Sequence, residues 1–319
     1  MKLIVQIPCL NEESTLPATL AAIPREIPGV DQVEIMIIDD GSSDKTVEVA
    51  KAHGVDHICR HRNNQGLGRA FRTGLNNALK CGADIIVNTD GDGQYAGGDI
   101  PRLIQPILSG QADIVIGDRQ TANSPEFGTL KKCLQWLGSY VVRSLSGTDI
   151  PDAVSGFRAI SRQAAIELNI ISRFSYTIEM IIQAGNKQMA IVSVAVGTNP
   201  KTRESRLFKN IPQFVARQLV NMLRMYAMYR PMRFFFYIGS LLSIAGLIPI
   251  LRFLYFYFFG DGSGNIQSLV LGGALITMGF MVFIAGLLSD LISQNRQLSE
   301  IALTKIRKLE LGEPDGRDS

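Results

Sequence analysis

The sequence predicts an α/β domain built on a mostly parallel, Rossmann-like sheet, followed by a two-helix transmembrane hairpin. Three observations carry this. Short apolar, β-branched runs alternate with helical patterns through about the first 200 residues, the pattern of a parallel sheet wrapped by helices. Several of those runs end in polar, acidic clusters. Two apolar, largely uncharged stretches of about 20 residues each, long enough to cross roughly 30 Å of hydrocarbon, follow residue 233.

Strands are expected at 2–8, 33–39, 55–60, 84–89 and 112–117, with later strands near 154–160 and 188–197 completing or covering the sheet. Helices are expected near 12–23, 43–53, 66–81, 99–109 and 130–145. This domain is bounded at 1–205. A juxtamembrane segment, 206–233, carries Ile211, Phe214, Val215, Leu219, Met222 and Tyr226 at helical spacing, as an interfacial helix does. The hairpin occupies 234–290, with spans at about 234–259 and 268–289, and a cytoplasmic helix and tail take 291–319. Arg252, late in the first span, is read as snorkelling to the near interface.

The chain has 319 residues, a net charge of +3 and 46% hydrophobic residues, enough for a sizeable core. So small a net charge gives no ground for a nucleic-acid partner. The basic residues instead flank the spans: Arg206, Lys209, Arg217, Arg224, Arg230 and Arg233 before, Arg296, Lys305, Arg307 and Lys308 after, and none in the turn between. The positive-inside rule then places both termini and the first domain in the cytoplasm, on an inner, cytoplasmic membrane. Met1–Glu13 lacks the long apolar run of a signal peptide. Cys9, Cys59, Cys81 and Cys133 form no C-x-x-C pair and read as reduced thiols of a cytosolic domain.

The chemistry sits where strands end. Asp90-Gly91-Asp92-Gly93-Gln94 follows the fourth strand, and a turn there can aim both carboxylates at one point. Hard carboxylate oxygens suit Mg²⁺ or Mn²⁺, with Gln94 as a further oxygen or hydrogen-bond donor. A calcium loop of the EF-hand type fails, because Tyr95 stands where its glycine belongs and Pro101 where its closing acid belongs. Asp39 ends an apolar run and can accept from a base N–H or a ribose hydroxyl, while the Ser42–Asp44 cluster after it caps a helix. Asn64-x-Gly66-x-Gly68 lacks the third glycine of a dinucleotide fingerprint and reads as a lead-in whose amides approach the substrate. His53, His57 and His61 are read as incidental.

The ordered set IPCLNEE, IIDDGSSDKT, NNQGLGRAFRTG, TDGDGQY, GDR and VSGFRAISR resembles the family-two glycosyltransferases of GT-A fold, and within them the polyprenyl-phosphate glycosyltransferase and dolichyl-phosphate mannose synthase branch. The similarity covers about residues 2–210, and the hairpin resembles that of bacterial members. The resemblance implies that Pro8, Asn11, Glu12 and Asp39 hold the nucleoside, and that Asp90, Asp92 and Gln94 hold the metal and diphosphate. It puts Arg119 at the acceptor phosphate, with Lys131 or Lys132 as a second cation. Arg158, in the Ser155–Arg158 segment, lines the sugar and acceptor pocket, and Arg203 reaches the diphosphate from a mobile loop. Asp92, Arg119, Arg158 and Arg203 are the implied catalytic set.

The expected reaction is transfer of a sugar, from UDP-hexose by family habit, to an undecaprenyl-phosphate-like lipid with inversion, for cell-envelope glycan or lipid glycosylation. A phosphate nucleophile is already charged near neutral pH and needs no strong base, in keeping with a site that offers no catalytic histidine. Glu179, in an apolar helix, is either a sugar contact or a satisfied structural carboxylate. A processive polysaccharide synthase is a rival, but its Q-x-x-R-W segment is missing and Trp136 is the sole tryptophan. A membrane-anchored nucleotide-sugar sensor or scaffold is another, opposed by the Asp90/Asp92 pair and Arg119. Two isolated spans suit a symmetric homo-oligomer.

Overall fold

The computed structural model describes residues 1–120, 142–143, 146–148, 150–171, 176–199, 223–224, 226–260 and 265–313. The helix expected near 130–145, Lys131, Lys132, Arg203 and most of the segment 206–233 lie outside the described residues. The chain divides into two compact units, Met1–Ile211 with Thr304–Ser319, and Pro212–Leu303.

In the first unit the described strands are β1 (Lys2–Cys9), β2 (Gln32–Asp39), β3 (His57–Arg60), β4 (Ile85–Asn88), β5 (Ile114–Asp118), β6 (Arg158–Ser161) and β7 (Ile191–Ala195). Their order is β3-β2-β1-β4-β6-β5-β7. All run parallel except β6, which is antiparallel to both β4 and β5. The later strand expected near 154–160 thus enters the middle of the sheet rather than covering it.

Helices α1 (Leu16–Ala21), α2 (Thr46–Ala52), α3 (Leu67–Lys80), α4 (Ile100–Leu108), α5 (Arg162–Glu167) and α6 (Tyr176–Asn186) wrap the sheet. The period of two sorts the strand residues between two cores. Ile4, Met36, Ile38, Ile86 and Ile160 meet Ala70, Phe71 and Leu75 of α3 together with α5 and α6. Leu3, Val5, Ile7, Ile35, Ile37 and Val87 meet Leu16 and Leu20 of α1 and Ile100, Leu103 and Ile104 of α4. With both faces covered, β1 and β2 read as nearly continuous apolar runs. Helix α3 lies close on the sheet because position 74 is glycine; an added Cβ would lie 2.7 Å from Ile38 Cδ1.

Helices α7 (Pro231–Phe259) and α8 (Ile266–Glu310) are both long and apolar enough to cross a membrane. The span expected at about 268–289 and the helix expected after it form one continuous helix, because no proline or glycine occurs between Leu287 and Leu311. Helix α8 ends in a Schellman closure. Gly312 has φ 68°, its N–H donates to Leu309 O, and Glu313 N donates to Lys308 O. The residues from Thr304 onward belong to the first unit. There Arg307 Nη1 lies 2.7 Å from Ile166 O and 2.9 Å from Leu168 O, satisfying carbonyls left open where α5 ends. Arg307 Nη2 reaches Asn169 Oδ1 at 3.2 Å, and Arg162 pairs with Glu313.

In the second unit, glycines seven residues apart on each helix form the seam. A Cβ on Gly246 would lie 2.8 Å from Gly272 O, one on Gly272 would lie 2.6 Å from Gly246 O, and Gly239 meets Gly279 in the same way. Small residues let the two backbones approach, as in membrane helix pairs. Large apolar side chains point outward instead, with Leu241 69% and Phe258 and Ile292 each 71% exposed. An apolar surface of that extent calls for hydrocarbon or another apolar partner. Replacing Gly272 by leucine is expected to cost about 1–3 kcal/mol through overpacking, read as a lower thermal midpoint in detergent.

Candidate active site

Strands β1, β2 and β3 step to one side and β4 lies on the other, so the strand order reverses between β1 and β4. Ligands of open α/β sheets bind at the carboxyl ends beside such a reversal. The polar clusters anticipated from the sequence at the ends of β1, β2 and β4 are joined there.

Beyond β1, Asn11 takes a left-handed φ of 55°. Its Oδ1 accepts from Ser43 N at 2.8 Å, and its N–H donates to Ser42 Oγ at 2.9 Å. Glu12 N donates to Thr46 Oγ1 at 2.8 Å. These bonds tie the loop after β1 to the loop after β2. The Ser42 hydroxyl therefore serves Asn11, and it is Asp44 that receives the helix start, accepting from Thr46 N at 3.1 Å. Pro8 is buried in β1. Asp39 is fully buried; Oδ1 accepts from Ser42 N at 2.9 Å. Its Oδ2 lies 3.0 Å from Arg60 Nε without hydrogen-bond alignment, so this oxygen keeps an unmet acceptor.

The loop after β4 is seated on the loop after β1. A Cβ on Gly91 would lie 2.9 Å from Cys9 Sγ and 3.3 Å from Glu12 Cγ. The Thr15 hydroxyl stands 2.9 Å from Gly91 O and 2.8 Å from Glu12 Oε2. Asp92 Oδ1 accepts from Gln94 N at 3.1 Å. Asn199 binds the same loop, with its N–H on Gln94 O at 2.8 Å and Nδ2 on Gly93 O at 2.9 Å. Across the loop, a Cβ on Gly156 would lie 2.9 Å from Asp90 Oδ2. Burial pushes the Asp90 carboxyl up to about 7, and the charge of Asp92 adds to it while Arg119 pulls the other way. Two crowded carboxylates of this kind are relieved by a cation, and their hard oxygens fit Mg²⁺ or Mn²⁺. Among the described residues no group of three His, Cys, Asp or Glu gathers, so the protein would supply few ligands and leave positions for phosphate oxygens and water.

Arg119 follows β5 and is held by Asp152, a partner that sequence reasoning missed. Nε lies 2.8 Å from Asp152 Oδ2 and Nη2 3.0 Å from Oδ1, and Asp152 is only 1% exposed. Burial works against the charge of Arg119, but the fork to Asp152, with Tyr95 and Asp90 nearby, more than offsets it and raises its pKa. Arg158 lies close enough for its charge to act on Asp90, but its hydrogen bonds go to the backbone. It is fully buried, and Nε, Nη1 and Nη2 donate to Ser155 O, Thr177 O and Ala153 O, each at 2.8 Å. Burial lowers it to about 10. It holds the 153–156 turn through backbone carbonyls.

The glycine-rich lead-in to α3 departs from expectation. Gln65 N and Gly66 N donate to the two Asp40 oxygens, each at 2.9 Å, so these amides serve the protein itself. The histidines face different partners: His57 faces Glu34 at 2.7 Å, His61 faces Asp40 at 2.7 Å, and His53 faces Val49 O at 2.9 Å. Glu179 accepts from Ile171 N at 3.1 Å.

Residues 4–168 match glycosyl transferase family 2. An undecaprenyl-phosphate mannosyltransferase of Micrococcus luteus is 28% identical, over 61% of this chain and 83% of its own. A UDP-N-acetylglucosamine–dolichyl-phosphate N-acetylglucosaminyltransferase of Methanococcus voltae is 31% identical, over 60% of this chain and 83% of its own. Glucosyl-3-phosphoglycerate synthase of Mycobacterium tuberculosis, solved with Mn²⁺, UDP and its product, shares the fold at TM-score 0.53 and 21% identity, covering 70% of this chain and 78% of that one. The sheet, with one antiparallel strand among the described residues and its loop carboxylates at the β1/β4 reversal, is thus of GT-A type, and the chain belongs to glycosyl transferase family 2.

Proposed function

We propose that the protein transfers a hexose from a UDP-sugar to a polyprenyl phosphate at the cytoplasmic face of a membrane, with inversion at the anomeric carbon. The observation that carries this is the Asp90–Asp92 loop, seated between the end of β1 and Gly156 in the same cluster as the strongly basic Arg119. The lipid acceptor draws support from the relatives' names and from the outward-facing apolar side chains of α7 and α8.

In this reading the unmet acceptor on Asp39 takes a base N–H of the donor, and Pro8, Asn11 and Glu12 shape the nucleoside seat around it. Asp90, Asp92 and Gln94 would hold Mg²⁺ or Mn²⁺, which supplies Lewis-acid stabilisation of the departing diphosphate. Arg119, oriented by Asp152, holds the acceptor phosphate and offsets its repulsion from the donor. Lys131 or Lys132 and Arg203 are assigned as further cations for acceptor and diphosphate. An acceptor phosphate oxygen bonds to the anomeric carbon as that carbon's bond to the donor diphosphate breaks. The nucleophile enters already charged, so no side chain must take its proton.

The assay is nucleoside diphosphate release from a panel of UDP- and GDP-sugars, with and without undecaprenyl phosphate. Release that depends on the lipid is expected. Equal release in its absence would contradict the acceptor assignment, and no release with folded protein in lipid would favour the sensor reading.

A further inference from the structure

A row of buried polar residues crosses the sheet directly beneath the site. Gln6 of β1 is in register with Asn88 of β4, and Asn88 with Arg158 of β6. All three are fully buried, and their neighbours two residues back, Ile4 and Ile86, are apolar. Asn88 is committed at both ends of its amide. Oδ1 accepts from Gln6 Nε2 at 2.9 Å, while Nδ2 stands 2.8 Å from both Gly156 O and Tyr176 Oη. Tyr176 stacks flat on Phe71 with ring centroids 3.9 Å apart, which fixes its hydroxyl. On the other side of the same residue, Gly156 N donates to Tyr95 Oη at 2.8 Å.

Gly156 therefore grips the loop 90–95 at both ends. Its Cα side leaves no room beyond Asp90, and its N–H binds Tyr95. The arrangement is poor as a stability device. Gln6 Oε1 is buried with no hydrogen-bond partner, and such an orphan costs about 1–3 kcal/mol. A buried network that breaks local rules is more readily explained by the geometry it enforces. We propose that Asn88, with Tyr95 and Tyr176, is a positioning residue: these side chains lock Gly156 through the peptide groups on either side of it, and Gly156 sets the Asp90 carboxylate for the cation and diphosphate. The proposal rests on the metal-site reading above.

Binding separates it from a purely structural role. Free Mn²⁺ is followed by electron paramagnetic resonance in titrations of the full chain in detergent with UDP and, in parallel, GDP, alongside kcat, KM and thermal midpoint. Asn88→Ala should weaken Mn²⁺ binding in the presence of nucleotide about tenfold, the range seen when groups supporting a metal ligand are removed, and lower kcat. Tyr176→Phe keeps the stack on Phe71 and removes only the hydroxyl. It should shift Mn²⁺ binding in the same direction with little change in midpoint, and it decides the matter if Asn88→Ala does not fold. Unchanged Mn²⁺ binding in folded Tyr176→Phe, or no nucleotide-dependent Mn²⁺ binding by the wild type, would overturn the proposal. Wild-type protein that binds Mn²⁺ with this Asn88 dependence yet moves no sugar to lipid would leave it standing and overturn the acceptor reading instead.

Discussion

Replacing Asp92 by alanine is expected to lower sugar transfer on the order of 10³-fold, the scale associated with losing a preorganised electrostatic contact to the leaving group. Asp92 is half-buried on a turn, with its Oδ1 on Gln94 N. The thermal midpoint should change little, so the loss will lie in kcat. Steady-state rates and a melting curve on the same preparation check both. Activity within tenfold of wild type in the folded variant would place the diphosphate seat elsewhere.

The second large effect is expected at the Arg119–Asp152 pair. Arg119→Lys keeps the charge but loses the two-point fork of 2.8 and 3.0 Å. If Arg119 holds the acceptor as proposed, misplacing it should lower kcat/KM for the lipid about 10²-fold and leave donor binding unchanged. Asp152→Asn should act in the same direction, and the double variant should be less than additive, because both changes disturb one unit. Arg119→Ala is the poorer probe. It leaves Asp152 buried without its cation, a defect that costs about 3–5 kcal/mol of stability. Independent, additive losses in the double variant would show that Asp152 does not act through Arg119.

Much of this site is visible in the sequence because the chemistry sits at strand ends. Asp39 closes an apolar run and Asp90 follows one, so the ends of those runs fix their place at the carboxyl ends of the strands. Asp152 is hidden for a topological reason, and the Ser155–Arg158 segment is expected at the site from the family resemblance alone. Asp152, Gly156 and Arg158 reach the site because β6 inserts antiparallel between β4 and β5, and no local pattern in VSGFRAIS announces that. Asn88 and Gln6 did leave a signal, as polar residues inside otherwise apolar strands. The amides before α3 were misdirected for a similar reason: Asp40, adjacent in sequence to Asp39, collects them. The reach of α8 was legible in principle, since nothing between Leu287 and Leu311 breaks a helix. Hydropathy marks where apolar character stops, which is not where the helix stops.

Transfer to lipid is read out by following a radiolabelled sugar into the lipid phase. Full-length protein in detergent or lipid, undecaprenyl phosphate and Mn²⁺ or Mg²⁺ are combined with a panel of UDP- and GDP-sugars, with Asp92→Ala alongside. Label that enters the lipid phase from one donor, and is lost in the variant, is the predicted result and names the donor. Folded protein that leaves the lipid unlabelled across the whole panel would rule out polyprenyl phosphate as the acceptor.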